Sequence, residues 1–163
     1  MLMAQKQKII KRHKLLQLSL FLIIMGCASF VNVNGQNLEK HTWKNRILVI
    51  KTSDRSSEIY QKQIKEFENA ADELKVRKFV IYKISGDDYE MIDFTNPKWN
   101  ESGKIAGKPI GTNLTDKDNF EVILIGLDGG VKLRQTEILR KEALFNIVDA
   151  MPMRRNEINR NEK

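Results

Sequence analysis

The side chains best suited to covalent chemistry are scarce in this chain of 163 residues. Its single cysteine is Cys27, and its one histidine beyond residue 35 is His41. Exchange between dithiols and disulfides needs reactive thiolates, and Cys27 lies within an apolar run near the start of the chain. A serine hydrolase would need Ser56 or Ser57 held against a histidine base, whereas helix capping is the simpler role for these serines. The sequence therefore predicts no catalytic residue.

An acidic cluster, formed by Asp87, Asp88, Glu90 and Asp93, could in principle hold a cation. Calcium takes carboxylate oxygens from loops, but the spacing here is not that of an EF-hand, and no glycine stands at the required turn. We interpret the cluster as part of a solvated loop. The sequence therefore predicts no metal site and no cofactor.

A second set of charged residues flanks the predicted strands and the last predicted helix. Two neighbouring arginines near the end of that helix could hold a carboxylate or a phosphate in bidentate fashion. Alternatively, they oppose the negative end of the helix dipole, and Asp149 forms a partly buried ion pair with Arg46. The candidate cluster, functional or structural, comprises Arg46, Asp128, Arg134, Asp149, Arg154 and Arg155.

Residues 1–35 have the layout of a secretory signal. They carry five basic groups and no acid, followed by an apolar run over residues 15–33. A membrane span is the alternative, but it needs about 20 predominantly apolar residues, and this run is interrupted by polar ones such as Gln17 and Asn32. We expect an exported protein, periplasmic or extracellular.

Two processing sites compete at the end of this leader. Cleavage between Gly35 and Gln36 follows small or short residues and would release the chain from the membrane. Cys27 could instead be the lipidated first residue of a lipoprotein anchored in the envelope, although Met25 is bulky for the recognition sequence and Phe30 continues the apolar run. Contact with a membrane is expected only in the lipidated case.

The net charge of +7 belongs largely to the leader. Without its five basic groups, 23 Lys and Arg residues face 21 Asp and Glu residues, which leaves +2. A nucleic-acid partner would need a basic stripe, and the remaining chain interleaves its charges. We therefore expect no nucleic-acid partner.

Hydrophobic patterns predict one α/β domain over residues 36–157 and a disordered tail at 158–163. A βαβ unit comes first, then a long irregular loop at 85–119, then a hairpin and a helix that ends at Pro152. The order resembles the thioredoxin-fold core: a mixed four-stranded sheet with helices on both faces. The segments behind this prediction are strands at 47–50, 79–84, 120–126 and 131–134, and helices at 60–74 and 138–148.

Three segments, residues 43–46, 125–134 and 147–155, resemble the P-DUDES family. This is a domain of unknown function in exported bacterial proteins, related to vertebrate sushi-repeat and coiled-coil matrix proteins. The resemblance spans roughly residues 38–157. It implies a thioredoxin-like, peroxiredoxin-related fold and brings no established reaction.

The chain departs from the family and from working thioredoxins at informative positions. Leu127 stands where the family usually has lysine, and Arg77-Lys78 where it often has an acidic-basic pair. The loop that holds the two thioredoxin cysteines corresponds here to residues 52–57, which contain none, and Asn119 replaces the usual proline before the third strand.

These departures favour a domain that works by binding. We expect a binding or adaptor module with an unknown protein partner in the cell envelope. The alternative is a peroxiredoxin-related enzyme that uses Arg46, Asp149 and Arg154 without thiol chemistry.

Overall fold

A computed structural model describes residues 38–105 and 118–161. The six strands are β1 (Arg46–Thr52), β2 (Phe79–Ser85), β3 (Asp88–Asp93), β4 (Glu101–Lys104), β5 (Phe120–Ile125) and β6 (Val131–Gln135). The four α-helices are α1 (Glu58–Lys65), α2 (Ala71–Val76), α3 (Lys141–Asp149) and α4 (Pro152–Asn161). Short 3-10 turns span Leu38–His41 and Pro97–Trp99.

The strands form one open mixed sheet in the order β4-β3-β2-β1-β5-β6. β1 pairs in parallel with β2 and antiparallel with β5, and the remaining neighbours are all antiparallel. Because β1 lies at the centre, its β-branched run is buried on both faces of the sheet, as the sequence pattern predicts. The predicted parallel βαβ unit and the β5–β6 hairpin are confirmed.

Alternate residues of β1 separate the apolar core into two layers. Leu48 and Ile50 pack with residues of α1, α2 and α3, including Tyr60, Leu74 and Leu144. Ile47 and Val49 point to the opposite face, where buried side chains of β2, β3 and β5 join them. Helices were expected on both faces, but within the described ranges α1 to α3 contribute to one layer only.

The crossover between β1 and β2 contains two helices where the apolar spacing predicts one. Short i to i+3 bonds interrupt the helix, from Phe67 N to Ile64 O and from Ala70 N to Phe67 O. This tight turn keeps both Phe67 and Ala70 buried. The periodic stripe is therefore preserved even though the helix is broken.

The prediction of four strands is wrong, because residues 85–105 contain an antiparallel extension of the sheet. β2 turns at Gly86, whose φ of +57° suits glycine, and β3 and β4 continue outward from it. Burial alternates along β3, with Tyr89 and Met91 inward, which is the period-2 signal of a strand. The flanking glycine, aspartate and proline residues concealed that signal. Residues 106–117 lie outside the described ranges.

Pro152 does not end the chain's helical structure. It ends one helix and begins the next, since α4 starts at Pro152 and extends to Asn161. Proline suits the first position of a helix because its missing N–H would have no intrahelical partner there. Residues 158–161, predicted to be disordered, belong to this helix.

The predicted signal, with Cys27, Gly35 and Gln36, lies outside the described residues. In the part of the chain that the structure describes, none of the helices has the length and apolar character needed to cross a membrane.

Candidate functional site

Six charged side chains meet where β1 begins and α3 and α4 adjoin. We call this set the arginine network. It joins the start of β1 to the α2–β2 connection and to the last two helices. Its members are Arg46, Arg77, Lys78, Asp149, Arg154 and Glu157.

Arg46 lies at the base of the network and is only 1% exposed. Its Nη1 donates hydrogen bonds to Arg77 O at 2.9 Å and to Glu157 Oε2 at 3.2 Å. The other two guanidinium nitrogens, Nε and Nη2, are buried and have no hydrogen-bond partner among the residues that the structure describes. Because an arginine keeps its charge in proteins and has five N–H donors, this is a buried cation with three of its five donors unused.

Asp149 is the acceptor that joins the two outer arginines. Arg77 donates to it from Nε at 3.1 Å and from Nη2 at 2.6 Å, which is a bidentate pair. Arg154 donates from Nε to the same carboxylate at 3.2 Å and from Nη1 to Val76 O at 2.9 Å. Arg77 also lies over the ring of Phe145, with 4.3 Å between its Cζ atom and the ring centroid.

The two carboxylates of the network stay ionised. Burial by itself would raise the pKa of Asp149, but the hydrogen bonds from Arg77 and Arg154 lower it below its usual value. Burial likewise opposes the charge of Glu157, and the nearby Arg46 and Lys78 lower its pKa in the balance. A carboxylate with a lowered pKa and permanently charged arginines are poor partners for proton transfer near neutral pH. The arrangement suits structural bonding and the binding of anions.

The predicted charged cluster is therefore only partly assembled. Arg46, Asp149 and Arg154 belong to one network, but the expected pair between Arg46 and Asp149 is replaced by Arg46 with Glu157 and Asp149 with Arg77.

The other three predicted residues lie elsewhere. Asp128 is in the β5–β6 turn, where it pairs with Lys132 at 2.6 Å. Arg134 pairs with the buried Glu121. Arg155 is exposed on α4.

Sequence reasoning missed three members of the network: Arg77, Lys78 and Glu157. Glu157 is three residues after Arg154, a spacing that places both on one side of a helix, but no helix was expected there. Arg77 and Lys78 were noticed only as a departure from the family pattern.

A pocket of about 330 Å³ adjoins the network. It lies between the start of β1, the turn after β5 and the junction of α3 with α4. Arg46 is one of its lining residues, and the others are Gly126, Leu127, Asp128, Lys132, Met151, Pro152 and Met153. The N-terminus of α4 therefore borders a pocket that Arg46 also lines.

Residues 52–57, the loop expected to correspond to the cysteine-bearing loop of thioredoxins, lie at the opposite end of β1, about 20 Å away along the strand. There the hydroxyls of Ser56 and Ser57 donate to Asp54 Oδ1 and Asp54 O at 2.7 Å. Ser53 N donates to Asn119 O at 2.8 Å. The loop after β1 thus meets the residue before β5, and the hydroxyls of Ser56 and Ser57 are engaged inside the loop.

His41 is a buried side chain with two partners. Its Nε2 lies 2.8 Å from Tyr82 Oη and its Nδ1 lies 3.2 Å from Asn45 Oδ1. Burial lowers the pKa of His41 and raises that of Tyr82. With both ring nitrogens engaged, His41 is not placed to activate Ser56 or Ser57.

A second cavity of about 430 Å³ lies beside His41 and is lined in part by the exposed Trp99.

Three of the four residues of the acidic cluster, which the sequence predicts to be part of a solvated loop, are held by local partners. Asp93 Oδ1 accepts from Thr95 N and Asn96 N at 2.8 and 3.0 Å. Glu90 pairs with Lys83 at 3.4 Å and Asp88 with Lys104 at 3.9 Å. Within the described residues, no group of three or more histidine, cysteine, aspartate or glutamate side chains is arranged to hold a metal ion.

Comparison with known proteins adds a family but no activity. No curated protein and no solved structure matches the chain. The family match covers residues 37–157, which include the whole arginine network and all six strands. The chain therefore belongs to the DUF4174 family, a domain of unknown function.

Proposed function

We propose that this protein is an exported, thioredoxin-like module that acts by binding and carries out no thiol chemistry. The observation that carries the proposal is the loop at residues 52–57, which has no cysteine and whose serine hydroxyls bond to Asp54. Dithiol exchange requires thiolates at this position. A domain without thiolates at this position is expected to act through binding at its surfaces and pockets.

The order of four of the strands supports the thioredoxin-like part of the proposal. β2-β1-β5-β6 is the order expected from a parallel βαβ unit followed by an antiparallel hairpin. The contact between Ser53 and Asn119 also supports it, because these residues belong to the two segments that would correspond to the redox site of thioredoxins. In this interpretation β3 and β4 are an addition at the β2 edge, and the finer family is P-DUDES.

The rival proposal, an enzyme that uses Arg46, Asp149 and Arg154, receives less support. Asp149 is held ionised by two arginines, so it is a weak base at neutral pH. Neither arginine is a nucleophile of the kind that enzymes activate, and the carboxylate of Asp149 is already hydrogen-bonded to Arg77 and Arg154.

Redox assays test the proposal directly. The purified protein should neither reduce insulin disulfides nor consume peroxide, under conditions in which a thioredoxin and a peroxiredoxin do. Capture of partners from envelope extract should be equally efficient with and without a thiol reductant, because no mixed disulfide can form. Turnover in either assay would contradict the proposal, and its loss in a folded Asp149→Asn variant would support the rival enzyme.

The export part of the proposal is tested by the mass of the mature protein. Cleavage by signal peptidase predicts an N-terminus at Gln36. A mature chain that begins at a lipid-modified Cys27 would instead place the domain on the membrane surface. Retention of residues 1–35 without modification would contradict export by either route.

A further inference from the structure

The unused donors of Arg46 form a specific recognition element. Nε and Nη2 lie on one edge of the planar guanidinium and present two nearly parallel N–H groups, the geometry that pairs with both oxygens of a carboxylate. Within the described ranges these two nitrogens of Arg46 have no hydrogen-bond partner, whereas Nη1 donates to Arg77 O and Glu157. Leaving charged donors buried and unbonded is costly, so an acceptor for this edge is favoured.

The pocket beside Arg46 has the size and walls for a small ligand. Its volume of about 330 Å³ lies within the range of small-molecule sites. Leu127, Met151, Pro152 and Met153 supply an apolar wall. Most small-molecule sites combine such walls with a few polar groups that set the orientation.

The charge around the pocket favours an anion. The arginine network contains four cations and two carboxylates, an excess of two positive charges. Among the other lining residues, Asp128 is paired with Lys132 at 2.6 Å. The first turn of α4 borders the pocket at Pro152 and Met153, and a helix N-terminus carries partial positive charge and unbonded N–H groups.

We propose that this pocket binds a small monocarboxylate with an apolar body, its carboxylate paired with Nε and Nη2 of Arg46 and its body against Leu127 and Met153. Both nitrogens are buried in this structure, so the ligand must displace the side chains that cover them to reach this edge. A carboxylate fits better than a phosphate because the single free edge offers two N–H groups, whereas a phosphate dianion presents three oxygens. This inference rests on the proposed binding function and names the ligand class.

Binding can be followed through Trp43, whose backbone is hydrogen-bonded to Leu127 of the pocket. Its backbone N–H donates to Leu127 O at 2.6 Å, and its side chain is 66% exposed. The chain contains two tryptophans, so a Trp99→Phe background leaves Trp43 as the single emitter. Phenylacetate is the probe, and phenylacetamide, acetate and phenyl phosphate are its comparisons. Phenylacetate should bind at least about tenfold more tightly than each of them, a difference of about 1.4 kcal/mol.

The site is located by nuclear magnetic resonance. The Nε–H signal of Arg46 in proton–nitrogen correlation spectra should shift as phenylacetate is added, because that proton enters a charge-assisted hydrogen bond. Arg46→Lys keeps the charge but removes the planar edge, and it should weaken binding by about tenfold.

A second set of variants leaves the buried arginine untouched. Met153 lines the pocket and is 40% exposed, so Met153→Asp should fold and should weaken phenylacetate binding about fivefold relative to the neutral Met153→Asn. Arg155→Gln removes an exposed cation from the same helix and should change binding less than about twofold.

Several results would overturn the assignment. They are no detectable phenylacetate binding, equal affinity for the amide, an unmoved Arg46 Nε–H signal, or equal affinities of the two Met153 variants. If phenylacetate binds elsewhere, the pocket assignment fails and the binding function stands. Redox turnover would remove the binding function regardless of what the pocket holds.

Discussion

At the scale of single residues, buried polar side chains connect distant segments of this fold in addition to its apolar core. Gln63 on α1 is fully buried. Its Nε2 donates to Leu139 O at 2.9 Å, and its Oε1 accepts from Leu139 N at 2.7 Å. The side-chain amide thereby satisfies both backbone groups of a residue 76 positions away in sequence, which ties α1 to the segment before α3.

Replacing Gln63 with alanine should lower the free energy of unfolding by about 2 kcal/mol. Truncation leaves the N–H and C=O of Leu139 buried without partners, and each such group costs about 1–3 kcal/mol. Urea unfolding monitored by circular dichroism measures the change. Gln61→Ala, on the exposed side of the same helix, should change stability by less than about 0.5 kcal/mol, and equal losses in the two variants would contradict the assignment.

His41 should make the fold less stable at mildly acidic pH. Burial lowers its pKa in the folded state, whereas the unfolded value is about 6.5. The unfolded chain therefore binds a proton more readily, so stability is complete above about pH 6.5 and falls as the pH drops toward the folded pKa. Chemical unfolding at about pH 7.5 and 5 should show this loss, and His41→Gln should reduce it. An unchanged pH dependence in the variant would assign the loss to other groups.

At the scale of elements, the junction between α3 and α4 determines where the last charged residues of the network lie. Pro152 ends one helix and begins the next, and this reversal returns Arg154 and Glu157 toward the start of β1. Without the helical structure of α4, Arg46 would lose its carboxylate partner, Glu157.

Two neighbouring arginines on α4 provide a matched test of this packing. Arg154 is buried in the network, whereas Arg155 is exposed. Arg154→Ala should lower stability by about 2–4 kcal/mol, somewhat below the full cost of breaking a buried ion pair because Asp149 is a third exposed. Arg155→Ala should remain within about 0.5 kcal/mol. Thermal and urea unfolding of both variants gives the comparison, and similar effects would contradict a structural role for α4.

At the scale of the whole molecule, the arginine network joins β1, the α2–β2 connection, α3 and α4. These elements are separated by up to 111 positions in sequence, so their ionic contacts exist only in the folded state. The stability of the entire fold is thereby coupled to the ionisation of Asp149 and Glu157.

Acid should weaken the fold through these two carboxylates. Their folded pKa values are lowered relative to about 3.9 and 4.3 in an unfolded chain. Their contribution is therefore complete above about pH 5 and is lost as the pH falls through the folded values. The double variant Asp149→Asn, Glu157→Gln should be less stable at neutral pH and should lose less stability between about pH 5 and 2.

Urea unfolding at several pH values measures this difference. Glu68→Gln removes an exposed carboxylate outside the network and gives the effect of the charge change by itself. The coupling would be refuted if the double variant kept the full acid dependence of the unchanged protein.

Much of the fold is predictable from local pattern, and the failures have identifiable causes. The strand at β1, the parallel partner β2 and the Asp-Gly turn between β5 and β6 follow from β-branched runs and turn residues. β3 and β4 were missed because their short alternation is flanked by glycine, aspartate and proline. α4 was missed because its polar composition shows almost no apolar stripe, and only its packing on the network stabilises it.

The candidate site was predictable in part. Arg46, Asp149 and Arg154 stand out by type and position, but their pairing depends on Arg77 and Glu157. The ion-pair partner of a long charged side chain depends on how several helices and strands pack around it. The separation of two residues in sequence therefore does not predict whether they form an ion pair.

The amino-acid sequence by itself determines that the domain has no thiol in the loop after β1 and that its central strands pair in parallel, since composition and local periodicity are properties of the chain. The tertiary structure decides which charges meet, that Arg46 is buried with one edge of its guanidinium unbonded, and that an apolar pocket adjoins it. The physical reason is that burial and hydrogen-bond satisfaction arise only when distant segments pack together.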